Sequence, residues 1–443
     1  MKQIFAVLVL VSCAGVVAAQ TEDKKRIDEL ERRIQELEAG RNGGTAPANP
    51  EAAKSDTPTW KDLVSLGGHL KWYGFLRLDT HYSDSAFDNA RFPQWVRAED
   101  DDTFIAGVTA AHVNDDQFNM HARLTRLGLD LDSGKIATLG DASATGKLEI
   151  DFFSLPSSES RAVPRLRHAY GKIGWSWLYL LFGQTSDLVS PLAPSFNPDT
   201  VLWNWGNTGD RRPQIRIGIE PTLGERFKLL FQVMAGQEGA IRNADLDGIG
   251  VLDGDDSGYP EGQARVGVSI QGWVAKKWMT VAFGAMYGEE EVDGAGVGGK
   301  HRFHTSLFCL DFEVPLLGTE SGFTILFKGE IWHGTNLSDI RGGNGQGINA
   351  ATGHLIRSNG GWLELRVSPV KWLAFTVGSS QDDPIDRDFT AGMREKVAVT
   401  YAIVTLAFDP FVVEASYGYW KTEYEDLERG TAHQYNLSLQ LNF

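Results

Sequence analysis

The sequence predicts an all-β fold: a transmembrane antiparallel β-barrel of about 16 strands, preceded by a short N-terminal coiled-coil helix. Three observations lead there. The last eleven residues alternate strictly, with Tyr435, Leu437, Leu439, Leu441 and Phe443 apolar and Gln434, Asn436, Ser438, Gln440 and Asn442 polar. That period of two fits a strand with one apolar and one polar face, and no helix has it. The links between such segments alternate in length, one short and the next long. Beyond the N-terminus, no apolar run reaches the ~18 residues of a membrane helix.

Taken from the start, residues 1–19 read as an export signal. Lys2 gives the positive charge, Ile4 to Leu10 the apolar run, and Val17-Ala18-Ala19 a small-residue cleavage site. Leu10-Val11-Ser12-Cys13 also looks like a lipoprotein box, behind an unusually short apolar run. Residues 20–39 read as a periplasmic coiled coil. Ile27, Leu30, Ile34 and Leu37 fall on alternating three- and four-residue steps, with Arg26, Glu31, Arg33 and Glu38 flanking the seam. The repeated Arg-Ile-x-x-Leu-Glu resembles the motif of short trimeric coiled coils. Ile at a with Leu at d ordinarily favours two strands, and two heptads are too short to hold alone. A homotrimer is therefore expected only if the barrel wall supplies the main contact. Residues 40–59, rich in Gly, Ala and Pro, read as a flexible linker.

Residues 60–443 read as the barrel. Strands are expected near 69–79, 121–132, 145–153, 165–174, 177–184, 213–220, 226–236, 263–273, 278–287, 303–313, 323–333, 361–368, 371–379, 395–408, 411–420 and 433–443. Charges sit between apolar residues, as in Leu148-Ile150-Phe152 against Lys147-Glu149-Asp151. This suits a wall with lipid on one face and a wet lumen on the other. Glu220 to Gly224, Ser368 to Lys371 and Asp409-Pro410 are tight links. Long polar loops are expected at 80–120, 154–164, 185–212, 237–262, 288–302, 334–360, 380–394 and 421–432. Trp72, Trp175, Trp177, Trp273, Trp278, Trp372 and Trp420 suit interfacial girdles. The terminal aromatic resembles the C-terminal signal of bacterial outer-membrane barrels. It places the last strand beside Leu70 to Leu78, with Ser438 and Gln440 toward the lumen.

The chain has 443 residues and a formal net charge of -16, which argues against a nucleic-acid partner. Outer-membrane lipid is the expected surrounding. Cys309 is the one cysteine left after export, so no internal disulfide or cysteine-based metal cluster is expected. No catalytic constellation stands out, and no cofactor is expected.

A barrel of this size leaves an aqueous channel. The loop 185–212 follows the fifth strand, and its prolines 191, 194 and 198 would stiffen a segment that narrows the pore. Arginines gather around it: Arg77, Arg123, Arg126, Arg161, Arg165, Arg167, Arg211, Arg212 and Arg216. Rings of Arg or Lys select anions, and guanidinium grips carboxylate bidentately. These nine are the candidate constriction, some of them paired with carboxylates such as Glu149 and Asp151. Metal binding is not expected. A weak calcium pattern, Asp245, Asp247, Asp253 and Asp256 with Gly250, has Ile249 at a ligand position and no flanking helices.

Four segments together resemble the DcaP-type outer-membrane porins: Tyr73-Gly74-Phe75-Leu76-Arg77-Leu78-Asp79, Leu166-Arg167-His168-Ala169-Tyr170, Phe182-Gly183-Gln184-Thr185 and Arg212-Pro213-Gln214-Ile215-Arg216. The resemblance implies a trimer with an N-terminal coiled coil and a channel for dicarboxylic acids and related small organic anions. The acidic loops and the glycine-rich loop 334–360 match no motif of that family. A general or phosphate-type porin, and a structural protein anchored through its coiled coil, are the alternatives.

Overall fold

The computed structural model describes residues 69–88, 94–100, 114–154, 160–242, 244–272, 274, 277–293, 300–319, 322–349, 352–385 and 389–443. The expected export segment, coiled coil and linker lie outside these residues.

The described chain winds into sixteen antiparallel staves. They are β1 (His69–Ser83), β2 (Gln117–His121, continued by Arg126–Ile136), β3 (Ala142–Ser154), β4 (Val163–Gly174), β5 (Leu178–Ser186), β6 (Arg211–Ile219), β7 (Phe227–Gly236) and β8 (Glu261–Gln271). Then follow β9 (Trp278–Asp293), β10 (Lys300–Gly318), β11 (Thr324–Thr335), β12 (Arg357–Val370), β13 (Leu373–Pro384), β14 (Arg394–Phe408), β15 (Phe411–Tyr424) and β16 (Leu427–Asn442). A two-residue ladder, Thr222–Leu223, belongs to the β6–β7 turn. Every expected strand is present.

The last stave closes the wall on the first, in register from Phe75↔Asn442 to Ser83↔Gln434. Phe443 extends the seam by exchanging backbone hydrogen bonds with Gly74 at 3.1 and 3.2 Å. Gly74 has to be glycine: a Cβ there would lie 2.9 Å from the Phe443 ring and collide with the Arg126 carbonyl.

β2 is not one continuous strand. Phe75 pairs with Arg126 and Asp79 with His121, so four steps on β1 face five on β2. The extra residue is a bulge over Ala122 to Thr125, which re-aims the side chains between its two halves.

The faces are inverted relative to a soluble protein. Ile215, Ile217 and Ile219 on β6 point outward, while Gln214 just before them and Gly218 between them are buried. Asp79, Glu149, Asp151, Asp311, Glu330 and Glu364 are all buried on the inside. An apolar outer band and a polar interior suit lipid outside and water within. Trp72, Trp175, Trp177, Trp278 and Trp372 are exposed near the short-turn end of the wall, as a girdle requires, and Trp273 lies outside the described residues. Trp420 departs from that expectation: it is fully buried, packed inward between Phe87 and Trp205.

Several expected loops are largely strand. The β15–β16 ladder runs on to Tyr424↔Leu427, leaving a two-residue turn where a loop over 421–432 was expected. The β9–β10 ladder likewise reaches Asp293↔Lys300. Above the membrane both faces of a hairpin are wet, so apolar alternation lapses while backbone pairing continues.

Candidate functional site

The site begins with the loop that joins β5 to β6. Asp187 to Asp210 lies inside the barrel, and most of it is buried. Its apolar side chains Phe196, Leu202 and Trp205 join a cluster with Val399, Tyr401 and Trp420 from the wall. Phe196 stacks on Tyr401 at 4.7 Å between centroids, and Trp205 meets Trp420 edge-on at 4.6 Å.

Carboxylates on the far wall fasten the loop. Glu330 on β11 accepts from Ser190 Oγ at 2.5 Å, Leu192 N–H at 2.8 Å and Trp362 Nε1 at 3.2 Å. Glu364 on β12 accepts from Ser195 N–H and Oγ, both at 2.7 Å, and from Tyr401 OH at 3.2 Å. Gly206 passes so close to the carbonyls of Gly361 and Gln381 that no side chain would fit. The glycine-rich stretch 336–349 also turns inward and docks on it. Asn204 N–H donates to Arg341 O at 2.9 Å, and Gly209 N–H to Ile340 O at 2.8 Å.

The other side of the lumen carries the arginines. On β4, Arg165 pairs with Asp151 at 2.7 Å, while Arg167 bridges Glu149 at 2.6 Å and Asp151 at 2.8 Å. Arg126 lies 3.5 Å from Glu149. Arg211 and Arg341 share Asp210, at 3.0 and 2.9 Å. The guanidiniums of Arg165, Arg211 and Arg341 all sit over the Trp203 ring, 4.8 to 5.8 Å from its centroid. Five guanidinium groups thus meet three carboxylates, Glu149, Asp151 and Asp210. Burial would raise the Asp210 carboxyl, but Arg341 and Arg211 hold it below the usual carboxylate range.

Arg126, Arg165, Arg167 and Arg211 are therefore brought together, and five of the nine expected residues lie elsewhere. Arg212 is withdrawn from the passage. It is fully buried and bound to Asp187 (2.6 Å), Asp339 (2.9 Å) and Glu261, carboxylates from three distant segments. Arg123, in the β2 bulge, is also buried and donates to Asp199 at 2.9 Å. Arg77 pairs with its neighbour Asp79 at 2.7 Å and with Ser438. Arg216 faces inward below the loop, bonded to Gln214 and the Ser186 carbonyl. Arg161 is exposed just ahead of β4.

Sequence reasoning missed Arg341 and Trp203 as members of the group. Arg341 stands in a loop without periodic pattern, and only Gly342-Gly343 beside it hints at a tight inward turn. Of the weak calcium pattern, Asp245, Asp247 and Asp253 place oxygens within 4.8 Å of one another; Asp256 is not in that group. Asp245 and Asp247 spend oxygens on the N–H groups of Gly248, Gly250 and Ile249.

The closed wall, the inverted faces and the inward loop define an outer-membrane β-barrel of porin architecture. No protein-family model and no curated protein sequence matches the chain. Among solved structures it is similar to the outer membrane channel DcaP of Acinetobacter baumannii, with a TM-score of 0.62 and 16% identity over 86% of this chain and 98% of that one. It is also similar to an anion-selective porin from Comamonas acidovorans, with a TM-score of 0.55 and 10% identity over 85% of this chain and 100% of that one. OmpT, an outer membrane protein of Vibrio cholerae, superposes with a TM-score of 0.51 and 11% identity over 86% and 99% of the two chains. The likeness to DcaP-type porins read from the sequence is thus borne out as a likeness of fold.

Proposed function

We propose that this protein is a passive channel of the bacterial outer membrane that prefers small organic anions, dicarboxylates among them. One observation carries the reading: five guanidinium groups against three carboxylates where the inner loop narrows the lumen. The surplus positive charge lowers the barrier for anions. Three of these guanidiniums are held over one indole, in fixed orientation, where a carboxylate can take two parallel N–H bonds from one of them. The architecture shared with an anion-selective porin supports the reading.

We also propose a homotrimer, with Ile27, Leu30, Ile34 and Leu37 forming a periplasmic coiled coil after removal of residues 1–19. Purified protein in planar bilayers tests the channel. A reversal potential under a salt gradient should have the sign of anion preference, and dicarboxylates should block chloride current. Cation preference, or no conductance, would overturn the proposal. Cross-linking of the full and N-terminally truncated chains tests the trimer: truncation should leave trimers if the wall supplies the main contact.

A further inference from the structure

The bulge in β2 does more than place Arg123. It sets His121 opposite Asp79 of β1, with its ring 5.3 Å from that of His81. Asp199, near the middle of the inner loop, reaches into the space between these two histidines. Its carboxylate oxygens lie 2.8 Å from His121 Nε2 and 3.7 Å from His81 Nε2. All three side chains are at least nine-tenths buried.

His121 Nε2 contacts both Asp199 oxygens, at 2.8 and 2.9 Å, but the third atom that converges there, His81 Nε2, has no such partner. His81 Nδ1 lies 2.5 Å from Asn436 Oδ1, so that nitrogen donates, and in the neutral ring Nε2 bears the lone pair. Asn436 is held in this orientation by its amide, which donates to Ser416 Oγ at 3.2 Å. His81 Nε2 makes no hydrogen bond. Arg123 Nη2 donates to Asp199 Oδ2 at 2.9 Å, the same oxygen that lies 3.7 Å from His81 Nε2. A buried nitrogen lone pair beside a buried anionic oxygen is costly unless something electron-poor lies between them.

We propose that His81, His121 and Asp199 bind one divalent transition-metal ion, Zn2+ being the best match, and that the ion pins the inner loop to β1 and β2. Two imidazoles and a carboxylate are a zinc-type donor set, with metal–ligand bonds of about 2.0–2.2 Å. Tetrahedral bonds of that length set ligand atoms roughly 3.3 Å apart, between the two separations seen here. Asn436 holds His81 in the tautomer that a metal needs, as hydrogen-bonded outer partners do at such sites. His121 must move its proton to Nδ1, which gives up its hydrogen bond to Asp199 and a 3.3 Å contact from the Arg123 N–H; the ion takes the place of the first between the same two atoms. The ion's charge meets Asp199, and the fourth position is left to water or a lumen anion.

The test uses the full chain without a polyhistidine tag, folded in detergent. Zn2+ binding is measured by competition with a chromogenic chelator, and Co2+ by its visible absorption. One Zn2+ per chain is expected, with a tetrahedral Co2+ spectrum and slower proteolysis of the inner loop. His81→Ala and Asp199→Asn should lose binding while keeping the heat-modifiable migration of a folded barrel. Asn436→Leu leaves every ligand in place and should weaken binding by about tenfold. Absence of binding to the folded wild-type chain overturns the proposal. So does binding that is unchanged in His81→Ala and Asn436→Leu, which would put the metal on the surface acids instead.

Discussion

The two sides of the lumen use charge in opposite ways. On the far side, Glu330 and Glu364 are buried and their oxygens are taken by loop N–H and O–H groups. On the near side, Arg126, Arg165 and Arg341 keep between a fifth and a third of their side-chain surface open. A carboxylate that accepts three hydrogen bonds has little field left for a passing ion. A guanidinium that shares its carboxylate with a second guanidinium retains some. Charge on the far side holds structure; on the near side it is left over for traffic.

Arg212 gives the sharpest way to break this comparison, because it lies on the near side but is used like the far one. Arg212→Met strands carboxylates of three segments and should cost about 3–5 kcal/mol, as removal of one partner of a buried ion pair does. Urea unfolding in lipid vesicles would measure it, and the reversal potential of the surviving channels should not move. A marked loss of anion preference would instead make Arg212 part of the passage. Glu330→Gln with Glu364→Gln comes next. Each should cost about 1–3 kcal/mol for mispaired buried groups, free the inner loop, and raise single-channel conductance. Unchanged conductance would show that these carboxylates are not the fasteners.

Neutralising the near side should move selectivity, in addition to the stability lost by unpairing Asp210. With Arg165, Arg211 and Arg341 all changed to Ala, anion preference should fall several-fold, about 1 kcal/mol for charges acting through lumen water. The smallest effect concerns pH. Burial, then Asp339 nearby, pushes Glu238 up to about 8. This carboxyl keeps its proton in the folded chain where the unfolded one has lost it. Its contribution is therefore complete below about pH 4.5 and falls away as pH rises toward 8. Between pH 7 and 9 stability should drop by about 1 kcal/mol, and Glu238→Gln should remove that slope.

The membrane made most of the fold legible. Lipid on one face and water on the other force a period of two, so Leu363-Leu365-Val367 or Ile215-Ile217-Ile219 could be assigned to strands by inspection. Where both faces are wet that rule has no force, and the upper halves of β9, β10, β15 and β16 read as acidic loops. The site was legible in composition and not in detail. Arg211 and Arg212 are adjacent and chemically identical, yet one stands over Trp203 and the other is enclosed by Asp187, Glu261 and Asp339. Those partners come from three segments far apart in the chain, which no local pattern relates. The bulge that buries Arg123 is a one-residue count between paired strands, visible only once the pairing is known.

The tall β15–β16 hairpin has a consequence for the cell that carries it. Its ladder ends in a turn of two residues, Glu425 and Asp426, so it offers a protease no slack chain to draw into a cleft. An antibody or a phage tail fibre would meet a stiff, acidic spike. Escape from such a binder would come by exchanging side chains along the spike, since inserting residues would cost the pairing that keeps it upright.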